Sequence, residues 1–438
     1  MVEFGKIKKI TPRFIKKAIK KFLSPRLLYP HFVEVQASYR DKVQRIATLI
    51  DKGRLKVAFI VLFDTTFPGK PLFELMLKDS AFDPYIIVVP NIAVSKEFAS
   101  RVFNETLISL KEEYDDRVVA GYDRINDNYL ELNDNYKIIV FANPYKTLVH
   151  PYHHVEYFLG KDVLPIYINY GYAVVDFWKE VINTDFYNYM WKVAIENEEN
   201  LKYLKKTQKI KGANASLTGY IKMDRMFSLS AKKTIRKKVL ICPHHTVWGW
   251  DKLNISNFIK YASLFLDLPK RFPEIDFIFR PHPLLFENLV KHQIWSENDV
   301  EKYLQTLLTN RNVMYERNGD YLQTFLDSDA MIHDCASFIA EYLYTENPCC
   351  YMLKDRKEKF TGLIPLGKEC IKQHYFAYEE EDIIRFIQDV VLAGFDTMKD
   401  KRRLFAEQKI MINYPQASQM LLNIVKKELG ICEKMQNA

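Results

Sequence analysis

Three short stretches carry residues able to do chemistry: Pro243-His244-His245-Thr246, Arg280-Pro281-His282-Pro283 and His333-Asp334-Cys335-Ala336-Ser337. Each directly follows an apolar run, so each is expected in the loop after a buried strand. A lone histidine at a strand end is more often a packing residue than a catalyst. Three adjacent loops with the same bias point to a site. The residue types suit an anion. Arg280 offers a planar fork of donors for phosphate. Ser337 stands where a helix over 337–345 is expected to begin, so its hydroxyl and the free N–H groups there would receive phosphate oxygens. Thr246 would serve likewise, and His245 lies beside it. His282 and His244 can donate to a phosphate oxygen or move a proton near neutral pH. Glu341, one turn into the same helix, is placed to accept ribose hydroxyls; its plainer role is to complement the helix dipole. His244 and His245 with His282 and Asp334 form a conceivable metal set. Adjacent histidines on an extended segment point to opposite sides, however, and no metal is expected. No G-x-S-x-G, Walker loop or G-x-G-x-x-G occurs.

The elements that must position these loops alternate regularly. Apolar strands are expected at Leu55–Phe63, Pro84–Pro90, Tyr136–Ala142, Leu164–Tyr172 and Trp191–Asn197, with helices near 34–52, 70–78, 95–113 and 198–207. After a polar, basic stretch a second series begins: strands at KVLIC, IDFIF, NVMYE, DAMI and PCCYML, with helices near 255–265, 321–326 and 337–345 and at about 381–393, 396–408 and 415–429. Near-continuous apolar strands separated by helices indicate parallel sheets covered on both faces. The chain is therefore expected to be α/β, with two Rossmann-like doubly wound domains facing a cleft. The boundaries are a basic helical segment over 1–50, a first domain over 51–227, a linker over 228–238, a second domain over 239–395 and terminal helices over 396–438. Open α/β sheets bind ligands beyond the carboxyl ends of their strands, where the three loops fall.

A length of 438 residues suits two domains, and 48% hydrophobic with 27% charged residues is ordinary for globular protein. No apolar run approaches the ~18 residues of a membrane span, and no apolar run follows the early lysines as a secretory signal would require. The six cysteines lack paired metal spacing and read as reduced, buried thiols of a cytosolic protein. The net charge of +8 is carried by residues 1–30, leaving the remainder near neutral. Within that segment, Thr11–Ser24 has the pattern of a capped amphipathic helix, with Phe14, Ile15, Ile19 and Phe22 on one face and Lys16, Lys17, Lys20 and Lys21 on the other. Such a helix either lies on an anionic membrane surface or packs on the protein with its lysines in water. Nucleic acid is not expected as a partner, because no binding motif accompanies the charge.

Taken together, the motifs resemble the CDP-glycerol glycerophosphotransferase family, the teichoic acid polymerase group of GT-B-like enzymes. FRPHPLL looks like that family's R-x-H-P motif. DAMIHDCASFIAEYLYTENPCCYML resembles its D-Y-S-S segment, aligning Asp334 and Ser337 with the acidic and last serine positions. LTGYIKMD (Leu217–Asp224) is similar to its TGYPRxD. The likeness spans about residues 160–355, with the motif order preserved. It implies a GT-B architecture, and transfer of glycerol phosphate or ribitol phosphate from a CDP-alditol to a bacterial surface polysaccharide or lipid-linked acceptor. It also implies no metal or cofactor beyond the donor, and a cytoplasmic protein peripheral to the inner membrane face. In those terms His282, His244 and Asp334 would be catalytic, and Arg280, Thr246, His245, Ser337 and Glu341 would hold the donor. Asn169 and Gly171 would face the acceptor. One departure stands out. The family places a His-Gly pair at the end of a first-domain strand, and here the match is Asn169-Tyr170-Gly171. Ala336 likewise replaces the first serine. The base is then His244, His245, Asp176 or Asp64, or the reaction differs: a nucleotide-sugar glycosyltransferase of the same fold, or an inactive binding scaffold.

Overall fold

The computed structural model describes residues 24–64, 67–132, 135–232, 234–248, 255–317, 320–357 and 360–431. The expected basic helix over 11–24 lies outside these residues, apart from Ser24. The long helix Pro30–Ala47 follows, burying Phe32, Tyr39 and Ile46.

The first sheet contains β1 (Leu55–Val61), β2 (Phe82–Val88), β3 (Val118–Ala120), β6 (Tyr136–Phe141), β7 (Leu164–Tyr167), β8 (Lys192–Ile195) and β9 (Ala215–Leu217). Its order is β3-β2-β1-β6-β7-β8-β9, all parallel. A small antiparallel hairpin, β4 (Tyr122–Asp123) with β5 (Asn128–Tyr129), stands apart from it. The central strands are nearly free of polar residues because helices cover both faces.

The second sheet contains β10 (Lys237–Cys242), β11 (Ile275–Phe279), β12 (Val313–Tyr315), β13 (Ala330–His333), β14 (Cys349–Met352) and β15 (Tyr375–Ala377). Its order, β12-β11-β10-β13-β14-β15, is again fully parallel. Strand order reverses between β10 and β13, and such a switch point opens a crevice beyond the strand ends. The loops after β10, β11 and β13 are the three singled out in the sequence. The expected helix over 337–345 is shorter: an α-turn at Phe338–Glu341 runs into a 3-10 turn at Tyr342–Thr345.

The last helix, Ala417–Glu428, returns to the first sheet rather than staying with the second. Ala417, Leu421, Leu422 and Val425 join the core of β1 and β2, and Lys426 pairs with Asp79 at 2.7 Å. The LTGYIKMD stretch fixes this return. The Asp224 carboxylate accepts the N–H groups of Ala417 (3.2 Å) and Ser418 (2.6 Å) and the Ser418 hydroxyl (2.6 Å), capping the helix. Gly219 adopts φ +85°, and a Cβ there would lie 1.9 Å from the carbonyl oxygen of Ile412, so only glycine fits.

Candidate active site

Backbone hydrogen bonds hold the first two loops side by side: Arg280 N–H donates to the Ile241 carbonyl at 2.9 Å, and His282 N–H to the Pro243 carbonyl at 3.0 Å. His244, His245 and His282 therefore cluster, with ring centroids 4.4 Å (244–245), 4.1 Å (245–282) and 5.3 Å (244–282) apart. In each ring Nδ1 sits opposite a donor. The Thr246 N–H reaches His244 Nδ1 at 3.3 Å and the Thr246 hydroxyl lies at 3.0 Å. The Leu284 N–H reaches His282 Nδ1 at 3.2 Å. The Asn288 amide nitrogen lies 2.9 Å from His245 Nδ1 and 3.3 Å from the His245 carbonyl, so it is the donor in both. An Nδ1 that accepts carries the lone pair, which leaves the proton on Nε2. Burial holds all three rings neutral. It pushes His245 down to about 4, and His244 and His282 well below the usual imidazole value, with the neighbouring rings adding to the effect. The cluster therefore presents N–H donors rather than lone pairs. That suits an anion and not a metal, although the ring atoms lie within 4.8 Å of one another.

Several expected roles are corrected by the geometry. Asp334 is fully buried; its carboxylate accepts the N–H groups of His244 (2.6 Å) and Asn257 (2.5 Å), and burial raises it to about 7. It shapes the His244 loop from beneath, with no exposed surface. Thr246 is also fully buried, its hydroxyl held between His244 Nδ1 and the Ile255 N–H, so it anchors the ring and is not open to phosphate. Glu341 does not reach a ribose. It is fully buried, accepting the Tyr172 N–H (3.2 Å), the Tyr220 hydroxyl (3.0 Å) and the Tyr321 hydroxyl. Lys222 Nζ lies 2.5 Å from that Tyr321 oxygen. Glu341 thus joins the β13 side to the segment after β7 and to the TGYIKMD stretch. His333 does not join the other histidines either: it is buried within β13, facing Tyr351 and His374.

Arg280 is nearly buried and bonds Glu316 at 2.6 Å, with its guanidinium 5.7 Å from the Tyr321 ring. Glu316 is in turn held by the Thr324 hydroxyl at 2.8 Å. Ser337 is partly exposed and makes no side-chain cap to its own helix turn. It faces Gly171 across the domain boundary, where a Cβ on Gly171 would meet Ser337 Cβ at 3.5 Å and Oγ at 3.9 Å. Gly171 and Ser337, which the sequence places in different halves of the chain, thus lie close together. Asn169, two residues earlier, donates from its amide to Glu196 at 2.8 Å and accepts the Tyr167 hydroxyl at 3.1 Å. Glu196 is buried, which raises its pKa against the opposing pull of Asn169 and Asn200. Sequence reasoning missed it; the only signal was a carboxylate at the end of β8, level with Asn169. Of the candidate bases, Asp64 lines a cavity of about 100 Å³ between the two sheets, with Lys70, Glu113, Lys222, Arg225 and Asp320. Asp176 pairs with Lys179.

No family model matches the chain, and no curated protein sequence does. Solved structures do match. The wall teichoic acid polymerase TagF aligns over 95% of this chain and 98% of its own, with TM-score 0.56 and 13% identity. The UDP-GlcNAc 2-epimerase of Neisseria meningitidis, solved with UDP-GlcNAc bound, covers 85% of this chain and 100% of its own, with TM-score 0.53 and 13% identity. The S. aureus protein MnaA, solved with UDP, covers 86% and 97%, with TM-score 0.52 and 11% identity. The chain has the GT-B fold. The imidazole cluster lies beyond the second sheet's switch point. None of its helices, among the described residues, is long and apolar enough to cross a membrane.

Proposed function

We propose that this protein is a GT-B transferase that takes its donor as a nucleoside diphosphate conjugate, most specifically a CDP-alditol, and delivers glycerol phosphate or ribitol phosphate to a surface polysaccharide or lipid-linked acceptor. The observation that carries the reading is the cluster of three neutral imidazoles with Nε2–H donors beyond β10 and β11. A diphosphate seated there receives uncharged hydrogen bonds in a partly dry site, where they are strong, and is bound without a metal. As the bond to the leaving phosphate breaks, charge grows on oxygens that these donors already face. His282 is then a donor to the leaving group, Arg280, ion-paired with Glu316, braces the loop behind it, and Ser337 is a contact at the boundary with the acceptor half. The motif resemblance and the TagF match support the CDP-alditol. The basic helix over 11–24 is proposed to place the enzyme at an anionic membrane surface beside its acceptor.

Asn169 favours a second reading. An amide cannot accept the acceptor's proton at neutral pH, so the half of the site that determines the reaction differs from the family pattern. A nucleotide-sugar donor fits the same diphosphate site. A panel of CDP-glycerol, CDP-ribitol and UDP-sugars separates the two: release of CMP from a CDP-alditol supports the first, release of UDP the second. No product from any donor with lipid-linked or polymeric acceptors would leave only a binding role.

A further inference from the structure

A second cluster lies away from the cleft. His333 ends β13, Cys349 begins β14, and His374 immediately precedes β15, and all three are buried. Parallel register pairs Met331 with Cys349 and His333 with Tyr351, so Cys349 and His333 project from the same face of adjacent strands. The donor atoms of the three lie within 4.8 Å of one another. Their hydrogen bonding is the reverse of the cleft histidines. His374 Nδ1 lies 3.1 Å from the Cys370 carbonyl, an acceptor, so Nδ1 carries the proton and Nε2 the lone pair. That Nε2 has no partner, and neither ring nitrogen of His333 makes a well-formed hydrogen bond, although the Cys335 backbone lies near. Three buried imidazole nitrogens without a well-formed hydrogen bond, beside a thiol, are rarely left so, because buried polar atoms are normally satisfied. A ring that donates Nδ1–H to a carbonyl while aiming a bare Nε2 inward is the usual posture of a metal-bound histidine.

We infer that His333, Cys349 and His374 hold a soft closed-shell metal ion, zinc(II) or copper(I), that ties β13 and β14 to the approach to β15. One thiolate with two neutral imidazoles is a donor set for these ions rather than for magnesium or calcium. Bonds of about 2.0–2.3 Å place donors about 3.4–3.8 Å apart, so the observed cluster closes on an ion with side-chain adjustments of under about 1 Å. Binding converts the Cys349 S–H to a thiolate and releases one proton to solvent; burial holds the free thiol neutral, and the ion must overcome that, with Arg402 nearby offsetting it only in part. With copper(I) the site is neutral. With zinc(II) it keeps one positive charge. The closed surroundings mean that the ion is captured as the domain folds, and its place is structural, outside the transfer reaction.

The test uses untagged, full-length protein, unfolded in denaturant with chelator, freed of both, and refolded anaerobically with increasing cobalt(II), zinc(II) or copper(I). Cobalt(II) is expected to bind at one equivalent and give the near-ultraviolet thiolate-to-metal band, which the cleft histidines, having no thiolate, cannot produce. Zinc(II) or copper(I) should abolish the band and raise the melting temperature; whichever does so at the lower concentration names the ion. Cys349→Ser should lose the band, and His374→Gln, which leaves every thiol in place, should weaken binding at least tenfold. His282→Ala should bind as the parent does. Absence of a thiolate band in the parent, or a band of unchanged intensity and affinity in both Cys349→Ser and His374→Gln, overturns the inference.

Discussion

Replacing His282 by alanine bears on what the imidazole cluster does. The ring is anchored through Nδ1 by the Leu284 N–H and touches His245 at 4.1 Å between centroids. Burial and His245 together hold it well below the usual histidine value, so at neutral pH it is a neutral Nε2–H donor and not an imidazolium acid. The substitution then removes one hydrogen bond to a charged group, worth about 1.5–3 kcal/mol, or about tenfold to 150-fold. General-acid catalysis would lose more, about 10²–10⁴-fold. The two also differ in shape. A neutral donor supports both ground-state diphosphate and its departure, so Kd for the bare nucleotide should weaken along with kcat/KM. An acid would mainly lower kcat and would leave an alkaline limb in the pH profile. The assay is kcat/KM from pH 6 to 9 for parent and His282→Ala, with CDP or UDP affinity measured in parallel. An alkaline limb in the parent that disappears in the variant, with nucleotide affinity unchanged, would refute the neutral-donor reasoning.

Glu341→Ala strands the Tyr172 N–H and the Tyr220 and Tyr321 hydroxyls in a buried network beside Lys222, and should cost about 3–5 kcal/mol in urea unfolding; a loss below about 1 kcal/mol would contradict its role in joining the two halves. Gly219→Ala combines a left-handed backbone with a 1.9 Å contact to Ile412 and should cost more than about 3 kcal/mol, read as a fall in melting temperature. Acid should destabilise the fold. Burial pushes His153, His154 and His245 down to about 4 and holds His244 and His282 well below the usual imidazole value, so their contribution is intact above the unfolded value near 6.5 and is lost as pH falls below it. Between pH 7 and 5.5 each of the buried rings pushed to about 4, His153 and His154, costs about 1.2 kcal/mol, and the partly exposed His245 less. Asp334, raised to about 7, works in the opposite direction and returns about 1.6 kcal/mol. A net loss of stability is expected from pH 7 to 5.5, because His333 and His374 are depressed by burial as well, and stability that is flat or rising over that interval would contradict it.

The parallel sheets were legible because each central strand is an unbroken apolar run bounded by polar helices, as β1 and β10 show. Short elements were not. β15 has three residues and the β4–β5 hairpin four, too few for any periodicity to register. The return of the last helix to the first sheet also escaped notice, since Asp224 and Ser418 are 194 positions apart and nothing local announces their bond. At the site, residue type pointed to the strand-end loops that the structure brings together, but type does not reveal which way a side chain turns. Thr246 and Asp334 read as ligands because hydroxyls and carboxylates do bind ligands; both turn inward to hold His244. Helical spacing from Ser337 suggests a ribose contact for Glu341, yet the helix lasts only one turn and the carboxylate meets Tyr172 and Tyr220 of the first half and Tyr321 of its own. Glu196 carried no motif at all and emerged only through its bond to Asn169.

The most direct measurement is the long-range ¹⁵N–¹H spectrum of imidazole-labelled protein at pH 7, before and after addition of CDP or UDP. The account predicts that His244, His245 and His282 are neutral Nε2–H tautomers in the free protein, and that their Nε2–H signals shift together when the diphosphate binds. Nδ1–H tautomers in the free protein, or saturation with nucleotide that leaves all three rings unmoved, would contradict it.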